Sequence, residues 1–300
     1  MTPLSRYIAE EIATDHVDGL LTRREALRRL ALLGVGTTAA AALISACGDK
    51  RSAAPAGTRS TATPAGPPPG MQSTVPTEAV TWTGPRGQLQ GAWAAARDPI
   101  GAVLVIHENK GLNDWVRSVA ERLAGSGYSA LAIDLLSEEG GTDTFTDPAQ
   151  ATAALAAVAP DRFIADLRSG LDELQRRVPG HKVAVVGFCF GGGLVWRLLA
   201  KGEPRLAAAV PFYGPVPENP DFAGSREAAV LGFYGALDER VTSTEPAAEQ
   251  ALDAAGLVHE LVVEPDADHA FFNDTGKRYN PTAAADAWRR LQDWFSRHLS

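Results

Sequence analysis

The stretch from Lys182 to Leu194, KVAVVGFCFGGGL, restricts the possible folds more than any other part of the chain. Val183, Val185 and Val186 form a short β-branched apolar run that predicts a buried strand. Cys189 follows, with Gly187 two positions before it and Gly191 two after, and Gly191, Gly192 and Gly193 open a predicted helix. This is the G-x-C-x-G form of a nucleophile elbow, a sharp strand-to-helix turn that holds one reactive side chain above the end of a sheet. Residues without a Cβ on either side let neighbouring backbones approach. The helix N-terminus that follows favours a thiolate. A core cysteine in a glycine-rich turn has the same local pattern, so the rest of the chain has to decide between them.

Strand and helix signals alternate along the chain. A pair of early strands, Thr81–Thr83 and Gln88–Trp93, is expected around a Gly84-Pro85 turn. Apolar strands then follow at 100–106, 128–134, 183–188, 206–213, 228–234 and 259–263, separated by helical patterns near 112–124, 148–158, 161–177, 245–255 and 281–299. Continuous apolar strands alternating with helices predict an α/β fold, a mostly parallel sheet covered by helices on both faces. Active sites in such sheets lie beyond the carboxyl ends of the strands. Four residues that act as acid, base or nucleophile sit there: Glu108, Cys189, Asp238 and His269. A thiol needs a base, and the imidazole needs a carboxylate to fix its tautomer. The chain order nucleophile, acid, histidine is that of an α/β-hydrolase.

The motifs H107-E-N, G187-F-C-F-G-G, G235-A-L-D and D268-H-A-F-F-N, with their order and spacing, resemble the dienelactone hydrolase (carboxymethylenebutenolidase) family over residues 79–300. The resemblance implies an α/β-hydrolase fold and hydrolysis of small esters or lactones. It assigns attack to Cys189, acid–base work to His269, orientation of the imidazole to Asp238 and activation of the thiol to Glu108. It further implies an oxyanion hole built from the backbone N–H groups of Phe190 and Asn109, and a structural His107. Relatives that act on the archetypal anionic lactone hold its carboxylate with arginines. Here no Lys or Arg occurs from Leu123 through Asp161, and the position four residues after His269 is Asn273. Lys277, Arg278 and Arg162 are the candidate substitutes. A thiol-dependent peptidase or acyltransferase on the same fold, and a membrane-anchored binding protein without turnover, are the alternatives.

Residues 1–46 read as an export signal. Residues 1–21 are mixed polar and apolar and suit a short helix. Arg23-Arg24 with Leu27 resembles a twin-arginine signal, followed by an uncharged run from Leu30 to Ala46. I44-S-A-C47 resembles a lipobox, which implies lipidation of Cys47, membrane attachment through that lipid and placement on the outer face of the cell envelope. Residues 47–78, rich in Ala, Pro, Ser and Thr, are expected to form a disordered tether. The net charge of -8 and the lack of a basic, aromatic-interleaved patch argue against nucleic-acid binding. Two cysteines, Cys47 and Cys189, are too few for a Cys/His zinc site read from spacing. The proposed nucleophile, base and oxyanion donors call for no metal or organic cofactor.

Overall fold

The structure, a computed structural model, describes residues 1–53 and 66–300. Its frame is one eight-stranded sheet. The strands are β1 (Glu78–Thr83), β2 (Gln88–Ala94), β3 (Gly101–Ile106), β4 (Tyr128–Ile133), β5 (Val183–Phe188), β6 (Leu206–Phe212), β7 (Ala229–Gly235) and β8 (His259–Glu264). Their spatial order is β1-β2-β4-β3-β5-β6-β7-β8. β1 and β2 pair antiparallel, as the Gly84-Pro85 turn requires, and β2 joins β4 antiparallel. Every other pairing is parallel. Strands β3, β4 and β5 are buried at every position. Successive side chains point to opposite faces, so both faces of the sheet are covered, and that is why these strands read as unbroken apolar runs.

The covering helices are α4 (Asp114–Gly125), α5 (Pro148–Ala157), α6 (Pro160–Arg177), α7 (Phe190–Ala200), α8 (Glu239–Thr242), α9 (Glu245–Ala255) and α10 (Pro281–His298). Their starts follow sequence chemistry. Asn113, Asp147 and Asn280 accept backbone N–H bonds at the first turns of α4, α5 and α10, and proline opens α5, α6 and α10. Two 3-10 turns, Ser137–Glu139 and Thr142–Thr144, occupy the polar loop after β4. The sheet therefore agrees with the expected α/β architecture; β1 begins three residues earlier than expected, and the other strand boundaries shift by one residue at most.

The N-terminal region folds onto this frame. It forms α1 (Pro3–Val17), α2 (Arg23–Leu32) and α3 (Thr37–Ala53), capped at Thr2 and Thr22. Arg23 and Arg24 begin α2, and Cys47 is a half-buried free thiol within α3. Leu4, Tyr7, Ile8 and Ile12 of α1 are buried in the main core, and Ser5 Oγ donates to Ala156 O of α5 at 2.7 Å. The expected tether also differs. Its start continues α3, residues 54–65 lie outside the described residues, and from Gly66 the chain runs along α4. Val75 N–H donates to Glu121 O at 3.1 Å, and Ser73 Oγ donates to Gly125 O at 3.1 Å. Gly70 is pressed so close to Trp288 that a Cβ there would lie 2.6 Å from its ring. Small residues that looked unable to pack are what this close approach requires. No helix among the described residues is long and apolar enough to cross a membrane.

Candidate active site

The elbow forms as the glycines predict. Cys189 lies between β5 and α7 with φ 55° and ψ -114°, a positive φ that a residue with a side chain adopts only under constraint. The constraint is visible: Cys189 N–H donates to Phe212 O at 3.0 Å and Gly193 N–H to Cys189 O at 3.0 Å. A Cβ on Gly191 would lie 2.5 Å from Ile106 O and 2.6 Å from His107 O. The elbow therefore packs directly against the loop after β3, which carries Glu108 and Asn109.

The same kind of close approach joins the other two members. A Cβ on Gly235, at the end of β7, would lie 2.7 Å from Ala267 O. This brings the loop after β8 onto the loop after β7, and Asp238 Oδ2 meets His269 Nδ1 at 2.6 Å. Both residues are buried. Burial alone would raise the Asp238 carboxyl, but His269 and Arg240 outweigh it and hold its pKa at about 2. Burial opposes protonation of His269, yet Asp238 and Glu11 prevail and its pKa lies above the ordinary value. Its Nε2 is buried and makes no hydrogen bond among the described residues. A ring nitrogen of His269, Cys189 Sγ and a Glu11 oxygen all lie within 4.8 Å of one another.

Glu108 is buried beside them but does not bond the thiol. Tyr213 Oη donates to its Oε1 at 3.4 Å and Asn273 Nδ2 to its Oε2 at 2.9 Å. Burial raises its pKa, with Lys110 and Asn273 pulling the other way. The expected contact with Cys189 is replaced by one from α1. Cys189 Sγ–H donates to Glu11 Oε2 at 3.2 Å, and Tyr7 Oη stands 3.5 Å from the sulfur. Burial, then Glu11 and Glu108, push the thiol well above its ordinary pKa. Arg240 lies 4.5 Å from the centroid of the Tyr7 ring. His107 is structural, as expected: its Nδ1–H donates to Glu108 O at 2.6 Å, while Nε2 accepts from Leu135 N–H at 3.1 Å. Its ring stacks on Phe190 at 6.2 Å, and Asn109 and Cys189 line the same cavity.

A cavity of about 350 Å³ opens over Cys189, Glu108 and His269. Lys277 and Arg278 line it, in keeping with their candidacy for holding an anionic group, and so do Lys110 and Arg29. Arg278, however, is engaged by Asp15 at 2.8 Å, by Asp18 and by Asp268 at 3.6 Å. Arg162 is turned elsewhere, onto Glu139 at 2.5 Å and Leu135 O at 2.9 Å. Sequence reasoning missed Tyr7, Glu11, Asp15 and Arg240. The available signal was Leu4, Ile8 and Ile12 at four-residue spacing, an apolar stripe that carries Tyr7 and Glu11 to the same side of α1.

The comparisons with known proteins agree with this geometry. The family model "Dienelactone hydrolase family" matches residues 89–299. An Escherichia coli O157:H7 protein named "Putative carboxymethylenebutenolidase" is 35% identical over 212 residues, covering 67% of this chain and 78% of the relative. A protein of the same name from Methylorubrum extorquens is 34% identical over 223 residues, covering 69% and 75%. The crystal structure of a dienelactone hydrolase-like promiscuous phosphotriesterase from metagenomic libraries superimposes with a TM-score of 0.67 at 28% identity, covering 76% of this chain and all of that one. With the elbow, the Asp238–His269 pair and the strand order of an α/β-hydrolase in place, the chain belongs to the dienelactone hydrolase family.

Proposed function

We propose that this protein hydrolyses small esters or lactones through a covalent acyl-enzyme on Cys189. The observation that carries the reading is the 2.6 Å Asp238–His269 contact, which leaves an unpartnered Nε2 beside a thiol held at an elbow. Substrate entry displaces Glu11 and Tyr7 from the sulfur. Glu108 takes the thiol proton as substrate binds and passes it to His269. Sγ bonds the carbonyl carbon, and the electron pair moves to oxygen, where the N–H groups of Phe190 and Asn109 receive the charge. Collapse expels the alkoxide, which takes the proton from His269. Water then attacks the thioester, gives its proton to His269 and restores the thiol as the acid leaves. Asp238 keeps the imidazole in the required tautomer throughout.

An ester and lactone panel, with anionic and neutral members, tests this. Wild type is expected to turn over part of the panel and Cys189→Ala none of it while keeping its fold. Turnover by Cys189→Ala equal to wild type would refute the assignment.

The twin-arginine-like pair, the uncharged run and the lipobox-like end at Cys47 support export followed by lipid attachment at that cysteine. Because α1 is docked on the catalytic domain, this reading keeps residues 1–46 on the exported chain. Mass analysis of protein from the native cell tests it: a membrane-free chain with no lipid on Cys47 would overturn it.

A further inference from the structure

We propose that the catalytic pocket also takes a thiophilic divalent transition-metal ion, of the Zn²⁺ class, between Glu11, Cys189 and His269, and that the bound ion pins α1 over the site and silences turnover. The inference rests on the hydrolase reading for what the ion silences; the binding itself does not.

Three observations carry it. The donor set comes first. Zinc holds sulfur at about 2.3 Å and nitrogen or oxygen at about 2.0–2.2 Å in a tetrahedron, so neighbouring ligand atoms sit roughly 3.4–3.7 Å apart. Glu11 Oε2 is 3.2 Å from Cys189 Sγ, and Glu11 Oε1 is 3.9 Å from His269 Nε2. All three donor atoms lie within 4.8 Å of one another. The second is His269 itself. Nε2 is an unpartnered nitrogen on a residue only 3% exposed, and Asp238 holds Nδ1 from the far side. A carboxylate behind a ligating imidazole fixes its tautomer and raises its basicity, which is the arrangement metal-bound histidines use. The third is charge. Glu11 and Glu108 act on the sulfur, Asp238 lies behind His269, and buried Arg240 acts on Glu11, Asp238 and Cys189. A divalent ion offsets that anionic surplus, although Arg240 lowers its affinity.

Thiolate and imidazole together select zinc-like ions over Mg²⁺ or Ca²⁺. On binding, the Cys189 S–H bond breaks, its proton leaves to solvent and a metal–sulfur bond forms, with no change of oxidation state. The fourth position goes to water. Because Glu11 belongs to α1 while Cys189 and His269 belong to the sheet edge, the ion joins the two. It also occupies both the nucleophile and the base. Sequence spacing could not show this site, since its ligands are separated by 178 and 80 residues, and the first becomes available only when α1 docks.

The test uses the full chain, stripped with chelator and titrated with Zn²⁺, with Co²⁺ as the spectroscopic probe. Wild type is expected to take up one equivalent, to lose ester turnover as it saturates and to regain it with chelator. The Co²⁺ form is expected to show a thiolate-to-metal charge-transfer band that is absent in Cys189→Ser. Glu11→Gln, which is nearly isosteric and is checked for fold by circular dichroism, is expected to weaken uptake at least tenfold. It should raise equally the Zn²⁺ concentration that halves its own turnover. No uptake by wild type, a charge-transfer band that persists in Cys189→Ser, or wild-type affinity in Glu11→Gln each overturns the proposal. If stripped wild type hydrolyses nothing, the hydrolase reading fails, and the Co²⁺ band still decides the metal site.

Discussion

Arg278 ties α1 to the loop after β8, so replacing it is the sharpest way to ask whether α1 guards the thiol. Its guanidinium meets Asp15 of α1 at 2.8 Å, Asp18 just beyond the helix and Asp268 beside His269 at 3.6 Å. Removing one partner of a buried pair costs about 3–5 kcal/mol. Asp15 is 23% exposed, and burial already raises its pKa, so it answers the loss partly by taking a proton. We therefore expect Arg278→Met to weaken α1 docking by about 1–3 kcal/mol after that discount. At 1.4 kcal/mol per tenfold, the population with α1 lifted rises roughly five- to 150-fold. Cys189 is only 2% exposed beneath Tyr7 and Glu11, so lifting α1 opens it to a thiol reagent. The assay is the rate of Cys189 alkylation by mass spectrometry in a Cys47→Ser background, which removes the chain's other thiol. Arg289→Met, at an exposed α10 pair, serves as the control and should change nothing. A labelling rate in Arg278→Met equal to wild type would refute the argument that this ion cluster holds α1 over the sulfur.

Asp238→Asn removes the charge that raises the His269 pKa. Turnover should fall roughly 10²–10⁴-fold. In wild type kcat/KM should rise with pH as imidazolium deprotonates above the ordinary histidine value, and in the variant that limb should move to lower pH. A pH–rate profile with the limb in the same place would contradict the assignment of Asp238. Gly191→Ala forces a Cβ to within 2.5 Å of Ile106 O, a backbone atom that cannot turn aside. Chemical denaturation should show a loss of about 1–3 kcal/mol, and unchanged stability would mean that the elbow does not pack against the β3 loop so closely.

The parts of this fold legible in the sequence are those determined by local chemistry. Strands β3 to β5 are buried on both sides and so carry no polar alternation, which made them recognisable as a central parallel sheet. Gly187 and Gly191 announced the elbow because nothing with a Cβ fits where backbone atoms of the next element lie. Asp238 and His269 were found because a rule about strand ends applies to each of them separately. Glu11 and Tyr7 obey no such rule. They reach Cys189 across 178 and 182 residues, through docking of a helix whose sequence reads as part of an export signal. The orientation of Glu108 was equally hidden. Asn273 turns out to hold Glu108 by 2.9 Å, and only the folded loop brings the two together.

Two carboxylates compete for control of one sulfur, and they are mounted differently. Glu108 sits on the sheet edge, fixed by Asn273 and Tyr213, and stays near Cys189 whatever α1 does. Glu11 rides on α1 and accepts the thiol proton's hydrogen bond directly. A carboxylate in that position stabilises the protonated thiol and repels the thiolate, so the docked helix keeps the nucleophile both covered and neutral. Lifting α1 removes the repulsion and the cover together and takes Glu11 away from His269 Nε2. The reactivity of Cys189 should therefore follow the position of α1 more closely than it follows pH. On that argument Arg278→Met should raise kcat/KM most for the bulkiest esters in a panel, because they need the helix furthest out of the way. A uniform change across ester size would show that α1 acts on the charge of the sulfur alone and does not gate access to it.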